Sequence, residues 1–247
     1  MYNITNGRYM TQNEVQETLK QAVEQQDFQT FISEVSLRQQ IDVEKLEIKF
    51  GYMFDILEVE PPTVNVVKSI LLQNKEKNVQ LSIVAYNKVG DTHINYDFSA
   101  DYKTEVSVKQ ITLNKALELS QEPTVTVSTV EDVGQFEMLD GTVPYNDPNY
   151  APGESIENLN TKDLMDGCLA GYNHCGKSCG DGGSTGGGTP INPVDSCCRA
   201  HDRCYDMYGF DKCSCDRVFG DCVRPYKGKY TMANAILAWI SVKYCRN

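Results

Sequence analysis

All ten cysteines of this 247-residue chain lie between Cys168 and Cys245, and none comes earlier. Ten within a 78-residue stretch exceeds the density that marks a disulfide scaffold, and an even count in a short segment indicates an oxidised framework outside the reducing cytosol. The chain thus has a cross-linked last third and a longer first part that must fold on its hydrophobic core alone. Charge divides at nearly the same place. Residues 1–150 carry 12 Lys+Arg against 23 Asp+Glu, whereas residues 151–247 carry 11 of each. Neither part has the basic stripe of a nucleic-acid binder. No apolar run approaches the roughly 20 residues needed to span a bilayer. The polar first thirty residues lack the apolar core of a secretory signal, so the secreted, extracellular location rests on the cysteines.

The break falls in residues 139–160, LDGTVPYNDPNYAPGESIENLN, where proline and glycine punctuate the chain. We divide the sequence into an α+β domain over 1–140, a linker over 141–157 and a small, disulfide-rich, mainly helical domain over 158–247. In the first part, residues 11–26 place Val15, Leu19 and Val23 at four-residue spacing, as a helix requires. Thr63–Leu72 reads as a second helix. Residues 79–87, 93–100, 105–113 and 124–130 are rich in Val, Ile, Thr and Tyr and read as strands. A meander with helices on one face follows. No catalytic constellation is legible here. His93 falls alone in a strand, and the sequon at Asn3-Ile4-Thr5 is too short a match to carry an argument.

Two segments of the last third read as short helices, residues 195–209 and 212–225. Asp195 suits an N-cap, Gly209 a helix stop, and Pro225 an end. Cys197 and Cys204 are seven apart, as are Cys215 and Cys222. Seven residues is nearly two helical turns, so each pair shares one face. Antiparallel helices then align Cys204 with Cys215 and Cys197 with Cys222, a two-rung ladder. His201 sits on the laddered face, and Asp216 lies opposite on the second helix. A histidine facing a carboxylate across a rigid interface is a general-base arrangement. Cys198 and Asp202 share a different face. The glycine-rich loop 178–190 lies upstream. If Cys198 is bridged to Cys179, the loop's carbonyls and the Asp202 carboxylate make a hard-oxygen site suited to calcium.

The run Asp195-Ser196-Cys197-Cys198-Arg199-Ala200-His201-Asp202-Arg203-Cys204-Tyr205 resembles the D-x-C-C-x-x-H-D-x-C-Y signature of secreted phospholipases A2. Ser178-Cys179-Gly180-Asp181-Gly182-Gly183 is similar to their calcium loop, and Cys213-Ser214-Cys215-Asp216 through Cys222 to their second-helix element. The resemblance covers residues 178–222. It implies that His201 deprotonates a water that attacks the sn-2 ester of a phospholipid, releasing a fatty acid and a lysophospholipid. It implies that Asp216 orients His201 and that Tyr205 supports Asp216. It implies calcium held by Asp202 and by the carbonyls of Ser178, Gly180 and Gly182, with the Gly180 amide assisting at the oxyanion. It further implies Cys179–Cys198 beside the two ladder rungs. Cys175 with Cys245 would tie the tail to the loop, leaving Cys168 with Cys213. A second supporting tyrosine has no clear counterpart, and the loop before Asp195 is longer than in the common animal enzymes.

Three competing readings are weaker. Gly171–Ser178 fits the P-loop pattern, yet no clean strand precedes it and no helix follows. His174 and His201 among cysteines suggest zinc, but the ladder and the calcium loop account for the cysteines better. A phospholipase fold without turnover, acting as a toxin or receptor-binding module, would typically lack His201 or Asp202. The tail at 229–245 reads as a buried helix rather than one lying in a membrane interface. The expected partner is a phospholipid membrane or micelle surface, met by a monomer, with residues 1–140 acting as a pro-, regulatory or targeting domain.

Overall fold

The computed structural model describes residues 2–59, 62–114, 124–137, 139–156, 167–210 and 212–243. Strand β1 (Tyr2–Tyr9) is followed by helices α1 (Gln12–Val23) and α2 (Gln26–Ser36). Then come β2 (Glu47–Val59), β3 (Pro62–Gln73), β4 (Val79–Lys88), β5 (Asn95–Lys103), β6 (Val108–Asn114) and β7 (Thr124–Val130). The seven strands form one antiparallel sheet in sequence order. Helices α3 (Pro193–Tyr208), α4 (Cys213–Val223) and α5 (Thr231–Lys243) follow. The architecture is an α+β sheet region followed by a disulfide-bonded helical part.

The expected helix at Thr63–Leu72 is instead strand β3. Side chains on both of its faces are buried over residues 69–73, so the alternation that marks a half-buried strand is lost there. Val67 and Leu71 point to one side of the sheet, Ile70 and Leu72 to the other. Strands β1 and β2 and helix α2 went unread. In β2 the alternation of Phe50, Tyr52, Phe54 and Ile56, all on one face, was the available signal.

Helices α1 and α2 cover the face bearing Ile70, Leu81, Ile83, Phe98 and Ile111. Thr11 caps α1 in a full capping box with Glu14. Phe98 meets Phe28 edge-on at 5.3 Å and stacks on Phe31 at 6.0 Å. Each such aromatic or aliphatic side chain, fully buried, contributes about 2 kcal/mol. The opposite face is not solvent-exposed, as a meander with helices on one side would leave it. It is covered by α5, whose Ala235, Ala238, Trp239 and Val242 join the cluster of Phe50, Tyr52, Phe54, Val67 and Leu71. The same helix turns Met232, Ala233 and Ile236 into the core of the cross-linked part, against Cys197, Cys198 and Phe219. Burial of the tail helix is as expected, and one helix serves two cores.

Polar contacts reinforce that seam. Lys227 is buried and pairs with Asp101 of β5 at 3.0 Å and with the Ser99 hydroxyl at 2.8 Å. The described residues of the proline-rich stretch are likewise tied to the sheet. Buried Asp55 accepts from the Tyr150 hydroxyl at 2.6 Å, Gly153 N at 2.9 Å and Ser155 N at 3.2 Å.

The ladder forms as spaced, with Cys197–Cys222 and Cys204–Cys215 joining α3 to α4. The loop pairing differs. Cys198 is bonded to Cys175, and Cys179 to Cys168. This overturns Cys179–Cys198, Cys175–Cys245 and Cys168–Cys213; Cys213 is disulfide-bonded, and Cys245 lies outside the described residues. The cause is Asp195. It is not the N-cap; Asn192 caps α3, with Pro193 in the first turn. Asp195 is buried in the first turn of α3 and gathers the amides of Asn173 at 3.2 Å, His174 at 2.8 Å and Ile191 at 3.0 Å. This holds residues 173–175 against the start of α3, beside Cys198, and leaves residues 180–188 to fold over them.

Candidate active site

Helix α3 carries His201 four residues after one ladder cysteine and three before the other, and α4 carries Asp216 next to Cys215. The two rungs bracket the pair, and His201 Nε2 meets Asp216 Oδ1 at 2.9 Å. An ionised carboxylate can only accept, so Nε2 carries the proton and Nδ1 keeps its lone pair. The imidazole is fixed by stacking, with its ring 4.3 Å from that of Phe219 at an interplanar angle of 13°. Trp239 of α5 approaches it edge-on at 6.4 Å.

Asp216 is buried and also accepts from side chains of α3 and α5. The Tyr205 hydroxyl donates to Oδ1 at 2.5 Å, and Lys243 Nζ donates to Oδ2 at 2.9 Å. Burial alone would push its pKa up. The hydrogen bonds from His201, Lys243 and Tyr205 and the Lys243 charge outweigh burial and hold it below the ordinary aspartate value. The sequence reading anticipated His201, Asp216 and Tyr205 at these positions and missed Lys243, which arrives from the last turn of α5.

Asp202 follows His201 but faces away from the ladder. Its Oδ2 is buried without a hydrogen-bond partner. Burial, then the nearby carboxylates of Asp206, Asp195 and Asp181, push its pKa up to about 7. A carboxylate withdrawn from water near like charges is costly to ionise unless a proton or a cation compensates it. His201, Asp202, Tyr205 and Lys243 line one pocket of about 350 Å³, walled by apolar side chains including Phe219, Ile236 and Trp239. Asn3 and Ile4 of β1 and Tyr145 complete the wall; nothing in the sequence linked these three to the C-terminal motifs.

Of the expected loop residues, Ser178 lines this pocket with Asp202, as do His174 and Gly176. Gly180 lies behind it; a β-carbon there would stand 3.1 Å from Asp202 Oδ2 and 3.0 Å from His174 Nδ1. Its amide donates to the Thr185 carbonyl at 2.9 Å, which occupies the donor assigned to the oxyanion. Gly182 has open space around it and does not line the pocket. Among the described residues, no group of three or more His, Cys, Asp or Glu side chains could hold a metal ion. Any cation at Asp202 must therefore draw on backbone oxygens or water.

No family model matches the chain, and no solved structure matches it significantly. Curated proteins do. Basic phospholipase A2 nigroxin A of Micrurus nigrocinctus is 31% identical over 91 aligned positions, covering 24% of this chain and 75% of the relative. Probable phospholipase A2 homolog 1 of Oryza sativa subsp. japonica is 42% identical over 53 residues, covering 21% of this chain. The chain spans only 38% of the rice protein's length. The acidic phospholipase A2 homolog taipoxin gamma chain of Oxyuranus scutellatus scutellatus is 52% identical over 42 residues, 17% of this chain and 25% of that protein.

Proposed function

Through its disulfide-bonded C-terminal part the chain belongs to the phospholipase A2 family, and on that premise we propose that it hydrolyses the sn-2 ester of glycerophospholipids in a calcium-dependent reaction. The observation that carries this is the His201–Asp216 bond, 2.9 Å long, with His201 lining the same pocket as Asp202, whose Oδ2 is buried without a hydrogen-bond partner. His201 Nδ1 takes a proton from a water molecule as that water attacks the ester carbonyl, and returns it to the leaving lysophospholipid oxygen. Asp216 holds the ring and stabilises the imidazolium formed between the two transfers. The apolar wall of Phe219, Ile236, Trp239 and Ile4 receives acyl chain and keeps bulk water from the reacting atoms.

The donor set at Asp202 fits calcium, a hard cation that takes carboxylate and carbonyl oxygens. Bound there, it would polarise the ester carbonyl and stabilise the oxyanion. The Cys175–Cys198 bond brings residues 174–178 to the pocket, so His174, Gly176 and Ser178 are the backbone nearest to hand for a cation at Asp202, although the Ser178 carbonyl already accepts from Ser184 N at 2.8 Å and that of Gly176 from Cys179 N at 3.4 Å. They take the part that the resemblance assigned to Ser178, Gly180 and Gly182.

The substrate is met at a phospholipid surface, in the oxidising extracellular space that the disulfides suit. Residues 1–140 act within the same molecule, seating α5 and closing one side of the pocket.

The test is fatty-acid release from phospholipid vesicles, with calcium and with excess chelator, for the full chain and for His201→Gln. Calcium-dependent release that the substitution abolishes supports the reading. A folded, oxidised chain that releases nothing sinks it and leaves a binding module built on the same fold.

A further inference from the structure

Lys243 occupies the last turn of α5, near the negative end of the helix dipole. It is 9% exposed, and its side chain passes between two aromatic rings, with Nζ 5.0 Å from the Trp239 ring centre and 5.3 Å from that of Tyr205. A buried ammonium persists only where acceptors meet it. Nζ lies 2.9 Å from Asp216 Oδ2 and 2.7 Å from the Tyr205 hydroxyl oxygen.

We propose that Lys243 is a positioning residue for the His201–Asp216 pair, clamping the Asp216 carboxylate at the oxygen opposite the histidine. The proposal rests on the esterase reading above. Its logic is the direction of the donors. Lysine can only donate, so the Tyr205 oxygen accepts from Nζ, and the tyrosine's single O–H is turned towards Asp216 Oδ1. Lys243 therefore acts on the carboxylate twice, directly at Oδ2 and through Tyr205 at Oδ1. Held at both oxygens, the carboxylate cannot swing about its side-chain bond, and the imidazole keeps the orientation that exposes Nδ1. The sheet shares in this, because α5 is seated on it by Ala235 and Ala238 and delivers Lys243 from that seat.

The experiment uses the full oxidised chain with short-chain phosphatidylcholine in mixed micelles and calcium. Lys243→Met, a neutral side chain of similar length, is expected to lower kcat by about tenfold to a hundredfold, as for a lost charge-assisted hydrogen bond. KM should stay within about twofold, since no substrate contact is removed. Lys243→Arg, which keeps the charge, should recover much of the loss. In an Asp216→Asn background, Lys243→Met should add little. A second readout needs no turnover: the downfield proton resonance of His201 Nε2, assigned by its absence in His201→Asn. It should shift or broaden in Lys243→Met and persist in Lys243→Arg. If Lys243→Met loses cooperative unfolding, Lys243→Gln replaces it with the same readouts. A wild-type kcat in the neutral variant, or an unmoved resonance, overturns the proposal. If the wild-type chain has no activity, the esterase reading fails and the resonance alone decides the role of Lys243.

Discussion

His201 and Asp216 face each other at 2.9 Å across an interface bolted on both sides, by Cys204–Cys215 and Cys197–Cys222. The covalent rungs remove the freedom of α3 to slide or roll against α4, so the hydrogen bond need not hold the helices together as well as orient the ring. Asp216→Asn preserves shape but removes the negative charge that stabilises the imidazolium, and it leaves Lys243 facing a neutral amide. We expect kcat to fall by about a hundredfold or more, within the range for general-base groups. Calcium binding measured by calorimetry should be unchanged. A loss of calcium affinity matching the loss of kcat would show that Asp216 acts on the metal site instead.

Asp202 makes stability depend on pH in a direction unusual for an acid. The ordinary value is 3.8, and the fold raises it to about 7. Between those values the folded chain holds a proton that the unfolded chain has released, so ionisation takes stability away as pH rises and the full loss is present above about 7. Calcium relieves that penalty only for the ionised carboxylate. With chelator, this group lowers the melting temperature between pH 5 and pH 8. Calcium should raise the melting temperature at pH 8 by roughly 4 °C more than at pH 5.5. Asp202→Asn should abolish the difference. An equal calcium effect at both pH values would remove Asp202 from the site.

What could be read from the sequence was local. Two cysteine pairs at seven-residue spacing are a property of single helices, so the ladder and the facing of His201 and Asp216 follow without knowledge of the rest. The loop pairing was not legible, because it depends on how buried Asp195 collects the amides of residues 173, 174 and 191. Strand β3 was misread because burial on both faces erases the two-residue period. Lys243 was hidden for another reason: it reaches Asp216 only through the packing of α5, and the motif around Asp216 says nothing of α5.

The Lys227–Asp101 pair fixes the cross-linked part to the sheet from inside. Both side chains are buried, and burial draws the Lys227 pKa down against the pull of Asp101. Removing one partner strands the other. Lys227→Met should destabilise the chain by about 3–5 kcal/mol in urea unfolding, although the Gln110 amide still reaches Asp101 at 2.7 Å. Lys227→Met with Asp101→Leu should recover a large part of that loss. If the double variant is no better than the single, the pair contributes through its packing and not through a stranded charge.

The same seam determines whether residues 151–247 can stand alone. Within the full chain α5 is enclosed: Met232, Ala233 and Ile236 face the cystine core, while Ala235, Ala238 and Val242 face Phe50, Tyr52 and Leu71 of the sheet. Cutting away the sheet exposes the second set as a contiguous apolar strip, uncovers Trp239, and removes Asp101, the partner of Lys227. Disulfides would still hold α3 to α4, but they do not hold the described length of α5. We expect the oxidised 151–247 fragment to bind a hydrophobic dye and to melt without a cooperative transition, unlike the full chain. Ala238→Arg in the full chain should mimic this by forcing a charge into the seam, costing roughly 3 kcal/mol or more. A fragment that melts cooperatively and binds no dye would show that the sheet is a detachable cover and not the seat of α5.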